Sequence, residues 1–436
     1  MRRRPWTSRT RLAAVGVAMC SALVLSACSS AGDSAVTVTS NVTVRSSAAV
    51  GPTASPDSTA GKSEKPSTST GKPGTSTKAH PGTTASGTAA TTGNTAAAGA
   101  LPDGFVPTKL KPGEKPPQFI VVSFDGVGWH EKWQYWFDIM SKVPFHFTGF
   151  LSGTYMLSDA TKSKYQGPGH GVGKASIGWN QAADLPVEIA DLNASLAKGN
   201  EIGTHFNGHF CSDNPPGGKD WNTADWNNEL DQFFGLIKNV DANNKLPAST
   251  KLNLTAADIK GERTPCLEGD AADLFPALKA HGLEYDSSFT RRGVSWPKQS
   301  KGDNIWQIGM AEFPIHGTSH FQITMDYNFY YTQRNASSKG VSQADSATDS
   351  AQVTATYQDM YNATYKGNRA PLILGNHFNA WNNNAYSDAI GKFVLANCGK
   401  PDTYCVPFRD LIAWMKMQDP ATLARLQAQD PELSAG

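Results

Sequence analysis

The chain has 436 residues, long enough for two or three ordinary domains. Its formal net charge is +1, but Arg2, Arg3, Arg4, Arg9 and Arg11 lie ahead of any acidic residue. Beyond Ala27 there are 34 basic residues against 38 acidic ones, which excludes the basic face that a nucleic-acid binder uses. With 40 Gly and 26 Pro and no Gly-X-Y period, a collagen-like chain is excluded too. Aromatic residues fall almost entirely after residue 105, so only part of the chain can fold around a core.

The arginines head an apolar run, Leu12–Ala27. It is shorter than the roughly 20 residues of a membrane-spanning helix and fits a secretory signal over residues 1–27. It ends Leu25-Ser26-Ala27-Cys28, which resembles a bacterial lipobox. The resemblance implies cleavage before Cys28, lipidation of Cys28 and export. The chain would then be held on the outer face of the cytoplasmic membrane, within the cell envelope. Residues 28–115 are Ser, Thr, Ala, Gly and Pro with scattered Lys. Such a segment buries too little apolar area to offset its ordering entropy and reads as a disordered tether. As a flexible coil it would span roughly 50 Å.

Residues 116–420 carry the folding pattern, and 421–436 read as a frayed charged tail. Gln118–Phe124 is a near-continuous apolar run of strand type ending at Asp125-Gly126, which fits a parallel sheet covered on both faces. Trp133–Met140 has a helical pattern, Phe145–Met156 a strand pattern, Leu185–Lys198 a helical one. Glu201–Thr204 is a short strand ending at His205. Asn227–Val240 and Ala271–His281 are amphipathic helices, Leu283–Phe289 is strand-like, Ala370–Leu374 is a strand ending at Asn376-His377, and Phe408–Met417 is a last helix. Strands and helices alternate, giving one α/β domain. Polar residues recur at strand C-termini, where barrels and open α/β sheets place their active sites.

Five segments share that position: Ser123-Phe124-Asp125-Gly126, His205-Phe206-Asn207-Gly208-His209, Arg263-Thr264-Pro265, Tyr285-Asp286-Ser287 and Leu374-Gly375-Asn376-His377. In order and spacing they resemble the polysaccharide deacetylases, the carbohydrate esterases of family 4 with the NodB homology domain. Pro117–Ile120, Tyr285–Ser288, Ser295-Trp296-Pro297 and Asn368–Pro371 are most similar to the chitin-deacetylase-like branch. The resemblance implies a distorted (β/α)7 barrel and a metal-dependent hydrolase that removes N-acetyl or O-acetyl groups from a cell-wall or extracellular polysaccharide, with peptidoglycan or a chitin-like GlcNAc polymer as substrate.

His205 and His209, four residues apart in a helical or tight-turn segment, would present both imidazoles on one side, a donor pair suited to Zn²⁺ or a similar divalent ion. Phe206 excludes the HExxH protease pattern. The resemblance assigns Asp125 as the base that deprotonates water and His377 as the acid that protonates the leaving amine. It assigns Arg263 as the partner of Asp125, and Asp286 as an orienting carboxylate toward His377 or Arg263. Trp296, Trp381 and Phe378 are candidates for a sugar groove or for the core. The chain departs from the family at Gly126, where a second Asp normally completes the metal site. Asp125 itself, Asp213 or His130 are the candidates to replace it. That departure keeps two other readings open: a glycan-binding lipoprotein without turnover, and a metal-free amidase or esterase acting on a non-glycan substrate.

Besides Cys20 and Cys28, four cysteines remain, and four allow three pairings. Cys398 and Cys405 can close a short loop, leaving Cys211 with Cys266, whose loops the five-motif arrangement sets side by side. A monomer is expected.

Overall fold

The computed structural model describes residues 105–434; the signal, Cys28 and most of the tether lie outside the described residues. The strands are β1 (Gln118–Asp125), β2 (Thr148–Leu151), β3 (Glu201–Thr204), β4 (Gly261–Glu262), β5 (Tyr285–Asp286), β6 (Thr290–Arg292), β7 (Lys298–Gln299), β8 (Trp306–Gln307), β9 (Met310–Pro314), β10 (Phe321–Ile323), β11 (Leu372–His377) and β12 (Thr403–Cys405). Between and after them run α1 (His130–Met140), α2 (Leu185–Ala197), α3 (Thr223–Lys238), α4 (Val240–Asn244), α5 (Ala271–Ala280), α6 (Asp326–Arg334), α7 (Gln343–Lys366), α8 (Ala385–Asn397), α9 (Phe408–Met417) and α10 (Pro420–Gln427).

All eight residues of β1 are buried, as its unbroken apolar run requires of a strand with both faces covered. The main sheet runs β11-β1-β2-β3-β4-β5-β8-β7, and every neighbouring pair is parallel except the β7–β8 edge. A helix or long crossover follows each of β1, β2, β3, β4 and β11, as parallel pairing demands. Thr324 links β11 to β9: its carbonyl accepts from Gly375 N (3.3 Å) and its N–H donates to Ala311 O (2.9 Å). The main sheet curls into a half-barrel, the distorted (β/α)7 architecture expected, with β10-β9-β6 as a separate three-stranded sheet.

Register puts the chemistry in one place. Asp125 lies opposite His377 in the β1–β11 pair, and Thr204 opposite Glu262 in the β3–β4 pair. His205 and Arg263 therefore leave adjacent strands side by side.

Several elements differ from expectation. The Phe145–Met156 region forms only four strand residues, followed by a single 3-10 turn, Gly153–Met156. Leu283–Phe289 pairs only at Tyr285–Asp286. α3 starts four residues early because Asn222 caps it, its side chain accepting from the N–H groups of Ala224 and Asp225. α7, at 24 residues, was not expected: its apolar stripe, Val353, Tyr357, Met360 and Tyr361, covers only residues 353–361, and the rest of its buried face is largely polar. Its buried Ser346, Thr356 and Thr364 donate their hydroxyls to carbonyls one turn earlier, so small polar residues can face the interior.

Both boundaries also move. Phe105 packs on Tyr404 (4.5 Å) and Phe119 (5.7 Å), and Leu110 N donates to Gln418 Oε1 (2.9 Å), so the fold begins about ten residues before 116. The tail from Ala421 is not frayed. It forms most of α10 with Leu426 fully buried, and Glu432 then pairs with Val294 through both backbone groups.

Candidate active site

At the end of β1 the Asp125 carboxylate is buried, 3% exposed, and accepts from Arg263 Nη1 at 2.7 Å. Arg263 is fully buried. Its Nε donates to Ser287 O (3.0 Å), its Nη2 to Ser287 Oγ (2.9 Å), and its guanidinium lies 4.8 Å over the Phe150 ring. Every edge of the fork is therefore fixed. Burial by itself would raise the Asp125 pKa, but Arg263, then His205 and His377, outweigh it and hold the carboxyl below its ordinary 3.8.

His205 continues the sheet for one residue, its N–H donating to Leu151 O (2.8 Å). Its Nδ1 lies 2.7 Å from Arg263 O, a bond that commits Nδ1 as the donor and leaves Nε2 as a lone-pair nitrogen. The His205–His209 segment is a tight turn rather than a helix: Phe206 and His209 both have left-handed φ, 54° and 55°. Two such non-glycine residues cost of order 1 kcal/mol each and persist only where the surroundings hold them. Here Asn207 Nδ2 donates to Glu229 O and Oε2 (2.7 and 2.8 Å), and Gly208 N donates to Tyr165 Oη (3.1 Å). The expected Cys211–Cys266 disulfide, which joins this loop to the Arg263 loop, is formed, and so is Cys398–Cys405.

The His205 and His209 rings are 5.1 Å apart. Burial lowers the pKa of both, that of His209 to about 3, so both are neutral imidazoles and available as ligands. The two imidazoles fit a divalent ion. His209 also lies near the sulfurs of Cys211 and Cys266, with ligand atoms within 4.8 Å, but the disulfide leaves no thiolate there. Among the described residues, no third His, Cys, Asp or Glu groups with both histidines. His130 faces Asp191 (2.7 Å) and Asp213 is exposed, so neither takes the place of a residue-126 carboxylate.

His377, at the end of β11, sets Nδ1 2.7 Å from Asp326 Oδ1, while its backbone N–H donates to Asp326 Oδ2 (2.8 Å). Burial disfavours the imidazolium, but Asp326 and then Asp125 overcome it and raise the His377 pKa above 6.5. Asp326 is the functional residue that the sequence reading missed. It lies 51 residues before His377 at the start of α6, in no motif, and only the packing of α6 on β11 brings it there.

Asp286, expected to orient His377 or Arg263, hydrogen-bonds neither. Its Oδ1 accepts from Ser288 N (2.6 Å), and it sits beside Glu262 across the β4–β5 register. Burial and Asp286 push Glu262 well up, so this acid stays protonated. Its neighbour Ser287 is the residue that positions Arg263. Of the aromatic candidates, Trp296 and Phe378 are core: Trp296 stacks on Trp414 and donates to Asn368 O (3.0 Å), and Phe378 packs on Trp133 and Phe124. Trp381 alone is half-buried beside the site, 5.0 Å from the His377 ring and stacked on Tyr330.

No protein-family model matches the chain, and no curated protein matches it. Solved structures do. A family 4 acetyl xylan esterase from Clostridium thermocellum, in complex with a cobalt ion, shares 12% identity over 70% of this chain and 96% of its own, with a TM-score of 0.36. A family 4 carbohydrate esterase from Streptomyces lividans, in complex with acetate, shares 11% over 66% and 91%, TM-score 0.33. A CE4 family pseudoenzyme from Bacillus anthracis shares 10% over 72% and 71%, TM-score 0.34. At these identities and TM-scores the likeness assigns no activity or substrate to this chain.

Proposed function

We propose that the chain is a hydrolase that removes an acetyl group, N-linked before O-linked, from a GlcNAc-type polysaccharide of the cell wall or surroundings. One juxtaposition carries this reading: a carboxylate that Arg263 holds in its ionised form stands across paired strands from an imidazole whose protonated form Asp326 favours. A base that stays ionised and an acid that holds its proton are what amide hydrolysis needs in one site.

Asp125 takes a proton from water as the oxygen attacks the acyl carbon. The tetrahedral adduct collapses, the C–N bond breaks, and His377 passes its proton to the departing amine. One water is consumed and acetate and the free amine are left. Arg263 keeps Asp125 ionised and aimed, and Asp326 keeps the second proton on His377. His205 and His209 would hold a divalent ion, zinc first, which supplies Lewis acidity at the carbonyl when bound. Trp381 offers a face to a sugar ring beside the acid. Lipidation at Cys28 and the tether would place this domain outside the cytoplasmic membrane, within reach of the wall.

Bound metal in the purified chain and in His205→Ala is measured by elemental analysis, beside acetate release from N-acetylated and O-acetylated glycans by the wild type and Asp125→Asn. Zinc near one equivalent, lost in His205→Ala, with acetate release lost in Asp125→Asn, supports the reading. Full activity in Asp125→Asn refutes the role of Asp125. Saccharide binding without acetate release leaves a glycan-binding protein, the outcome that Gly126 favours.

A further inference from the structure

The turn after β2 brings to this site a residue outside all five motifs. Gly153–Met156 is wedged between the end of β1 and the His205–His209 loop. Gly153 N donates to Phe206 O (2.7 Å) and Thr154 Oγ1 to Asn207 O (3.1 Å). The Tyr155 ring lies along the backbone that follows Asp125. A Cβ on Gly128 would meet the ring at 2.8 Å, and one on Gly126 would meet the hydroxyl at 3.4 Å. The two glycines thus make room for the tyrosine, and its hydroxyl stands beside the residue next to the base.

Tyr155 is only 7% exposed, yet its hydroxyl bonds to no protein group among the described residues. Nor is the oxygen fully enclosed. A desolvated tyrosine normally finds a partner for its O–H. Here the free donor stands beside Gly126, the residue next to Asp125. Burial, and then Glu188, raise the phenol's pKa, so the oxygen keeps its proton at neutral pH.

We propose that Tyr155 is a catalytic donor, whose hydroxyl hydrogen-bonds the carbonyl oxygen of the acyl group as that oxygen gains negative charge under attack by water. The inference rests on the acyl-hydrolysis reading above. The phenol keeps its proton throughout, so the balance of the reaction is unchanged. A fixed neutral donor at a developing oxyanion is worth about 10²–10³-fold in rate.

Tyr155→Phe removes one oxygen and leaves the ring packed on Gly128. The expected result is a kcat lower by about 10²-fold or more, with KM, bound metal and thermal midpoint close to wild type. A wild-type kcat overturns the proposal. So does loss of bound metal, which would make the hydroxyl a ligand, and so does a large fall in melting temperature, which would make it structural.

A second readout needs no turnover. The chain is labelled with ¹³Cζ-tyrosine, the Tyr155 resonance is identified by its absence in the Phe variant, and acetamide is titrated in. A saturable shift of that resonance is expected. If no glycan is hydrolysed and the resonance still moves, the hydrolase reading fails and the tyrosine contact stands. If the His377 ring responds to acetamide and Tyr155 does not, or if neither responds, the contact is refuted.

Discussion

Replacing Arg263 by Met tests the centre of the site most directly. The side chain is fully buried and makes three hydrogen bonds, one to Asp125 at 2.7 Å and two to Ser287. Met fills much of the volume and keeps contact with Phe150, so cavity formation is minor. What remains is a carboxylate, 3% exposed, that has lost its counter-ion. Removing one partner of a buried pair costs about 3–5 kcal/mol, because the other charge is left uncompensated. With a slope of about 2–3 kcal/mol per molar urea, the unfolding midpoint should fall by about 1–2 M at pH 7. The sign with pH follows from Asp125. Its wild-type pKa is below 3.8, so the pair's contribution is complete above that value and fades as pH falls through the depressed pKa. In Arg263→Met, burial dominates and the carboxyl titrates above 3.8, so the gap between variant and wild type should narrow as the pH is lowered. The second variant is Arg263→Met with Asp125→Asn, which removes both charges. It should be more stable than Arg263→Met alone, a non-additive cycle. A urea midpoint within 0.3 M of wild type for the single variant, or strict additivity in the double, would refute the reasoning.

Asp326→Asn removes the carboxylate that raises the His377 pKa and leaves burial, which lowers it. The alkaline limb of kcat/KM should move to lower pH, and activity at neutral pH should fall by about 10²-fold; an unmoved limb would separate His377 from Asp326. Removing the Cys211–Cys266 bridge, which spans 55 residues, should cost about 4 kcal/mol, and removing Cys398–Cys405, which spans 7, about 2 kcal/mol, as read from urea midpoints of the paired Ala variants. Ending the chain at Asp419 uncovers the cleft under Leu426 and strips Val294 and Asn368 of their bonds to Glu432. It should cost about 2 kcal/mol or more; an unchanged midpoint would mean that the tail is as loose as its composition suggests.

Elements whose pattern is local could be read from the residues alone. The eight-residue β1 could only be a strand covered on both faces. The helices α2, α3 and α5 announced themselves by apolar spacing, and Asp125, His205, Arg263 and His377 were marked by standing at strand ends. Locality also explains what was missed. α7 buries serines and threonines whose hydroxyls bond back into the helix, so its apolar signature is confined to residues 353–361 and diluted over 24 residues. α10 is held by a groove made of distant residues, and no pattern within it shows this.

Tertiary structure alone decided who partners whom. Asp286 stands at a strand end like the other site residues, but the parallel register turns it to Ser288 and Glu262. The orienting carboxylate of His377 is Asp326, from a helix that packs against β11. Tyr155 lies in no motif, and what places it is the empty space over Gly126 and Gly128. The types of chemistry available follow from residue identity and strand polarity, both written along the chain. The pairings that set a pKa or aim a proton depend on distances between residues far apart in sequence, and only the closed fold fixes those distances.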